Sequence, residues 1–173
     1  LDVAVSTDHG RTWRPTVHAR ATPNELWAPA IVVTRDAIVL AWPEAVGTDH
    51  FIFSARSTDL GGTWSAPVRI SAYPVTLRTV PLGTTLDGGV QALVKTWSAA
   101  RSEYEVRVTT STDDAVSWPG TDALVGIDHS TVQPTMKCLP DGNVHVAWCD
   151  VEPTRSRLFF NTSPNRGLPG TWM

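Results

Sequence analysis

Apolar and polar positions alternate in short runs along this chain, and no segment carries the 3.6-residue spacing of an amphipathic helix. Three stretches share one shape: APAIVVTRDAIVLAW (28–42), VPLGTTLDGGVQALV (80–94) and QPTMKCLPDGNVHVAW (133–148). Each has a proline, an apolar stretch, a turn around an aspartate and a second apolar stretch. The turns are Arg35-Asp36-Ala37, Asp87-Gly88-Gly89 and Asp141-Gly142-Asn143. Asp-Gly between two apolar runs predicts a β-hairpin. In the last copy Val144, Val146 and Trp148 fall on one face and His145 and Ala147 on the other, the period of a strand. Further strands are expected over 51–57, 105–111 and 157–161, and over 66–70 and 123–127.

A second element recurs between these hairpins. STDHGRTW (6–13), STDLGGTW (57–64) and STDDAVSW (111–118) begin 51 and 54 residues apart. A fourth copy, NTSPNRGLPGTW (161–172), starts 50 residues later and carries an insertion. Half of the eight tryptophans close these segments. The unit therefore reads strand, turn, strand, loop, strand, Asp-containing turn, strand. Four antiparallel strands in a repeat of about 50 residues is the pattern of a β-propeller blade.

Composition narrows the function classes. The 173 residues suffice for one domain with a core. Lys+Arg 14 against Asp+Glu 17 leaves a net charge of -3, so the basic excess of a general nucleic-acid binder is missing. No apolar run of about 18 residues predicts a membrane span. The chain begins at Leu1 without a signal peptide, which reads either as a removed leader or as a piece of something longer. Eight Trp outnumber four Phe and two Tyr, and only Lys95 and Lys137 are lysines. Arginine suits bidentate contacts to carboxylates.

Ser-x-Asp-x-Gly-x-Thr-Trp is the pattern of the Asp box, or BNR repeat. Residues 6–13 and 57–64 fit every fixed position, residues 111–118 have Ala115 for Gly and Ser117 for Thr, and residues 161–172 keep little besides Gly170-Thr171-Trp172. On these residues the chain resembles the sialidase-like, Asp-box β-propellers over essentially its whole length. The implied fold is all-β, with blades of four antiparallel strands. It counts a half blade over 1–20, blades over 23–71 and 72–127, and an incomplete blade over 128–173, about three and a quarter of an expected six-bladed ring. Two explanations stay open: a part of a longer propeller, or a homodimer in which two copies complete one ring.

The resemblance assigns the boxes to structure. Asp8, Asp59 and Asp113 are expected to accept backbone N–H bonds beside Ser6, Ser57 and Ser111. Gly10 and Gly61 are expected to supply a positive φ, and Trp13, Trp64, Trp118 and Trp172 to pack between units. Function is implied at the opposite end, in the second-to-third and between-blade loops. These carry Glu25, Trp27, Glu44, Asp49, His50, Tyr73, Arg78, Trp97, Arg101, Glu103, Tyr104, Asp128, His129, Asp150, Glu152 and Arg155. Aromatic rings stack on apolar sugar faces and charged groups bond hydroxyls, so the implied partner is carbohydrate. The residues also read as ordinary polar loops.

Catalytic sialidases hold the substrate carboxylate with three arginines, the first in Arg-Ile-Pro, and use a Tyr polarised by a Glu as nucleophile. Two residues before Pro29, Pro81 and Pro134 this chain has Trp27, Thr79 and Val132, none an arginine. Arg78 is one position off, on the opposite face of a strand. Tyr104 sits between Glu103 and Glu105. Three readings follow: a glycan hydrolase, a glycan-binding propeller without turnover, and a scaffold for a peptide or protein partner. No cofactor is implied, and the five histidines lack metal-site spacing. The family favours a secreted or cell-surface location. With Asp141-Gly142 as a two-residue turn, Cys138 would face His145 and Cys149 would face Pro134, leaving the thiols roughly 13 Å apart and free. Asn161-Thr162-Ser163 matches a glycosylation sequon inside the degenerate box.

Overall fold

Thirteen strands, and no helix among the described residues, make up the computed structural model, which describes residues 1–120, 122–129, 132–152 and 154–173. All pairings of named strands are antiparallel. β1 (Asp2–Val3) and β2 (Val17–His18) form a two-stranded sheet. β3 (Ala30–Val33), β4 (Ile38–Val46), β5 (Asp49–Ser57) and β6 (Val68–Arg69) form the next, in sequence order. β7 (Leu82–Thr84), β8 (Val90–Ser98), β9 (Glu103–Ser111) and β10 (Ala123–Asp128) repeat it. β11 (Thr135–Cys138), β12 (Val144–Glu152) and β13 (Arg155–Ser163) make a three-stranded sheet. These are blades of a β-propeller, and we number the four sheets as blades 1 to 4.

The core lies between sheets. Because side chains alternate across a strand, each blade presents one apolar row to its predecessor and one to its successor. Leu40 and Trp42 of β4 pack with Ala19 against blade 1. Ala92 and Val94 of β8 pack against Ala41 and Ile52 of blade 2. Val144, Val146 and Trp148 of β12 pack against Leu93, Val106 and Val108 of blade 3. At Gly126 the close approach of Trp148 is decisive, because an added Cβ would lie 2.3 Å from the indole. A register shift between Leu124 and Gly126 bends β10 at that point.

The turns joining third to fourth strands share one hydrogen-bond pattern. Ser57 Oγ accepts the amides of Asp59 (3.4 Å) and Gly61 (2.8 Å) and donates to Asp59 Oδ1 (2.8 Å). The Asp59 carboxylate accepts the amide and hydroxyl of Thr63 at 2.8 and 2.7 Å. Those two bonds, then the one from Ser57, hold the Asp59 carboxyl down at about 2. Ser6-Asp8-Thr12 and Ser111-Asp113-Ser117 reproduce the pattern. Each turn needs two left-handed residues in succession: His9 and Gly10, Leu60 and Gly61, Asp114 and Ala115.

The fourth turn begins two residues later than the sequence repeat suggests. Ser163, not Asn161, occupies the serine position, and Ser163 Oγ accepts the amides of Asn165 (3.3 Å) and Gly167 (3.2 Å). Arg166 and Gly167 are its left-handed pair, at φ 56° and 71°. Two extra residues before Thr171 obscure the match. Asn161 instead donates its side-chain amide to the Val125 carbonyl at 2.9 Å.

A second correction concerns the last hairpin. Cys138 pairs with Val144, not with His145, and Lys137 takes the place opposite His145. The loop has three residues, Pro140 to Gly142, closed by a 2.8 Å bond from Leu139 N–H to the Asn143 carbonyl. Asp141 caps it by accepting the Asn143 amide at 3.0 Å, with Gly142 at φ 92°. Neither cysteine is in a disulfide; Cys138 is buried and Cys149 half-buried. Burial pushes the Cys138 thiol up to about 12.

Trp64, Trp118 and Trp172 pack at the three successive blade interfaces. Trp13 departs from that expectation and is 64% exposed, since blade 1 has no earlier sheet beside it among the described residues. On the outer face of blade 4, Leu158 and Phe160 are 75% and 64% exposed. Their counterparts, counted back from the turn serine, are Ile52 and Ser54 in blade 2 and Val106 and Val108 in blade 3, all buried. That face is therefore shaped to carry another blade.

Two outcomes follow. Gly61→Ala places a Cβ 2.8 Å from Val5 at φ 82°, and chemical denaturation should show a loss of about 2 kcal/mol; unchanged stability would refute the turn geometry. Light scattering of the chain should give a mass above 18.8 kDa, moved toward the monomer by Leu158→Glu with Phe160→Glu. A monomeric wild-type chain would contradict the apolar-face argument.

Candidate functional site

The β4–β5 and β8–β9 hairpins and the connections between blades emerge at the end opposite the Ser-Asp turns. The first strands lie innermost there. Ala28 bridges Thr79 in parallel, and Thr79 Oγ1 donates to Gln133 Oε1 at 2.8 Å, linking the leads into β3, β7 and β11.

The lead into β3 runs along β4, with Leu26 bridged to Glu44 and Trp27 N–H bonded to the Pro43 carbonyl at 3.0 Å. This fixes Trp27 beside the inner strands. Its indole stacks on His50 at 3.7 Å and 16° and donates to Glu25 Oε1 at 2.9 Å. Glu25 Oε2 also lies 3.5 Å from His50 Nε2. The Arg78 guanidinium sits 5.3 Å from the Trp27 ring. Glu25 and Arg78 are exposed and Trp27 half-exposed, so the cluster faces solvent with a ring, a carboxylate and a cation.

Four other carboxylates of this end, Glu44, Asp128, Asp150 and Glu105, are built into the frame. Glu44, 1% exposed, accepts Arg20 Nε (3.0 Å), Arg20 Nη2 (2.5 Å), Trp42 Nε1 (3.0 Å) and Asn24 Nδ2 (2.9 Å). Burial pushes its carboxyl up, but the bonds from Arg20, Trp42 and Asn24 outweigh it and hold the group at about 2. Asp128 and Lys95 form a buried pair at 2.5 Å, and Lys95 also donates to the Val132 carbonyl at 3.0 Å. Asp150 accepts the His129 amide at 3.0 Å and faces His129 Nδ1 at 3.1 Å, while Glu103 approaches Nε2 at 3.5 Å. The bond to Asp150 raises the His129 pKa; burial pushes Asp150 up, and His129 more than offsets it. Glu105 takes two bonds from Arg107, at 2.9 and 2.7 Å, with Arg101 Nε at 3.4 Å.

The sequence candidates thus separate into two groups. Glu44, Asp128 and Asp150 are buried against Arg20, Lys95 and His129. Glu25, Asp49, Tyr73, Arg78, Trp97, Arg101 and Arg155 are exposed. The side chain of Glu152 lies outside the described residues. Tyr104 meets Trp97 edge-on at 5.0 Å and Lys95 Nζ at 5.0 Å, whereas Glu103 faces His129 and Glu105 faces Arg107. Residues missed at the sequence level are Arg20, Asn24, Lys95 and Arg107, which hold the carboxylates from other strands or connections. At the opposite end a cleft of about 410 Å³ is lined by Val33, Thr34, Arg35, Thr84, Thr85, Leu86 and Pro140, with no aromatic ring among them.

The sequence matches no protein-family model and no curated protein. The fold is similar to that of the α-L-arabinanase of Penicillium chrysogenum complexed with arabinobiose, with TM-score 0.59 and 16% identity over 99% of this chain and 54% of that one. It is similar to the GH93 α-L-arabinofuranosidase of Fusarium graminearum complexed with arabinobiose, with TM-score 0.59 and 17% identity over 99% and 53%. A further structure, described as a glycoside hydrolase, gives TM-score 0.51 and 12% identity over 87% and 56%. The chain spans about half the length of these structures. At such identities the likeness is one of fold.

The Glu44 network makes a prediction about pH. A carboxyl depressed from 4.5 to about 2 stabilises the fold above its unfolded pKa, and that stability drains away as pH falls through the folded one. Glu44→Ala should cost about 3–5 kcal/mol near neutrality, by stranding Arg20, and should flatten the fall in stability between pH 4.5 and 2. An unchanged acid profile would show that the network does not form.

Proposed function

We propose that this chain is part of a glycan-binding propeller whose ligand surface is the loop end. One observation carries the reading. At the turn end, Trp64, Trp118 and Trp172 are packed between blades. At the loop end, Trp27, Tyr73 and Trp97 remain open to solvent beside Arg and carboxylate groups. Rings that present an apolar face and a polar edge to water suit the mixed surface of a sugar.

The Ser-Asp turns support a place among the sialidase-like, Asp-box propellers. The likeness to an arabinanase and an arabinofuranosidase supports a glycan ligand. Exo-sialidase chemistry is the less favoured form for these blades, because Trp27, Thr79 and Val132 stand at the positions matching the arginine of Arg-Ile-Pro and Tyr104 packs on Trp97. Hydrolysis by the usual route needs two carboxyl groups across the scissile bond. Glu25 is the solvent-open carboxylate that touches the Trp27 cluster; Glu44, Asp128 and Asp150 are committed to Arg20, Lys95 and His129. In this reading these blades bind the sugar, and a hydrolytic form takes its second carboxyl from elsewhere in the ring.

Calorimetric titration with arabinobiose and with sialyllactose tests the reading. Saturable binding of arabinobiose is expected, weakened about tenfold by Trp27→Ala, the equivalent of about 1.4 kcal/mol. Binding of neither sugar, or binding indifferent to Trp27→Ala, would overturn it.

A further inference from the structure

A second aromatic cleft lies away from the inner strands. Tyr73 follows β6, the outermost strand of blade 2, and reaches toward blade 3. Trp97 stands near the end of β8, and Ala99 and Ala100 form the tip of the β8–β9 hairpin. Together with Glu105 and Arg107 of β9 they line a cleft of about 300 Å³. Trp97 and Tyr73 are 51% and 53% exposed.

The floor of this cleft is rigid and polar. Arg107 is fixed by two bonds to Glu105 Oε2 and one, 3.2 Å, to the Asp122 carbonyl. Its guanidinium carbon lies 5.5 Å from the Tyr73 ring, so the between-blade connection is tethered to β9. Glu105 is itself only 6% exposed. Trp97 is steadied by the edge-on contact with Tyr104. Two exposed rings on the walls and a fixed Arg–carboxylate pair below give apolar stacking faces and hydrogen-bonding groups set in advance. A small apolar ligand would desolvate the remaining N–H groups of Arg107 without new partners, which is unfavourable. A saccharide suits both surfaces, its C–H face against a ring and its hydroxyls on the Arg107 guanidinium.

We propose that the Tyr73–Trp97 cleft is a second saccharide-binding site, off the propeller axis and separate from the Trp27 cluster. It rests on the proposed function, whose open loop-end rings already include Tyr73 and Trp97, and divides that surface into two sites. Its role is to hold a glycan chain beside the inner site, so that binding at both places adds avidity.

The indole N–H resonances of Trp27 and Trp97 report the two sites separately in an NMR titration of the full chain. The probes are arabinotriose, xylotriose and galactotriose, with a proline decapeptide as the contrasting ligand. At least one trisaccharide should shift the Trp97 indole saturably. Tyr73→Ala should weaken that response at least tenfold, and Trp27→Ala should leave it in place. A Trp97 response without a Trp27 response supports this site while counting against the inner one. A Trp27 response alone overturns this site and leaves the inner one standing. No response to any sugar overturns both, and a Trp97 response to the proline peptide alone overturns the saccharide assignment.

Discussion

A serine hydroxyl accepting the amide four residues ahead is the interaction on which the blade depends. Ser6, Ser57, Ser111 and Ser163 each take the amide of Gly10, Gly61, Ala115 or Gly167. The bond closes a turn whose two left-handed residues would otherwise be unfavourable, and it aims the following Trp at a neighbouring sheet. The third strand, the fourth strand and the interface tryptophan are therefore fixed by one hydroxyl. The aspartate adds a second clamp in three turns, and in the fourth a 2.5 Å contact between Ser163 and Thr171 hydroxyls takes its place.

With one end of each blade clamped, the other is free to differ. The seventh residue of the second strand shows this: Glu44 in β4, Thr96 in β8, Asp150 in β12. The two carboxylates are met by groups from the connection leaving the preceding blade, the Arg20 guanidinium and the His129 imidazole. In blade 3 the charge moves one residue back to Lys95, which meets Asp128 at the end of β10 in the same blade and donates to the Val132 carbonyl in the lead to β11. Buried pairs of this kind add little net stability against a hydrophobic alternative, yet breaking one is costly. The Arg20 and His129 contacts tie the between-blade connections to the blades they enter, and the Lys95–Asp128 pair braces blade 3 internally, at the end where no Ser-Asp turn does so.

The fold was legible because its signals are local. Ser57, Asp59, Gly61 and Trp64 lie within eight residues, and the Asp-Gly hairpins within about fifteen. Where an insertion disturbed the spacing, legibility failed: Asn165 replaces the aspartate, two residues follow Gly167, and Ser163 was hidden behind Asn161. The last hairpin slipped by one position because Asp141-Gly142 sits in a three-residue loop, and a sequence does not distinguish that from a two-residue one. The site was legible only as a list of loop residues. Whether Glu44 or Asp128 is open or buried depends on Arg20 and Lys95, which lie 24 and 33 positions away. Those pairings arise from blade packing, which no local pattern encodes.

Amide hydrogen exchange tests the turn account most directly. The amides of Gly61, Ala115 and Gly167 lie in turns, outside the strand ladders, and each is donated to a buried serine. The account predicts protection comparable to that of the adjoining strand amides, with Gly10 less protected because its turn is exposed. Exchange of all four as fast as that of Gly47 or Gly120, which lie in exposed connections, would show that the serine bonds do not hold the turns and would contradict the account.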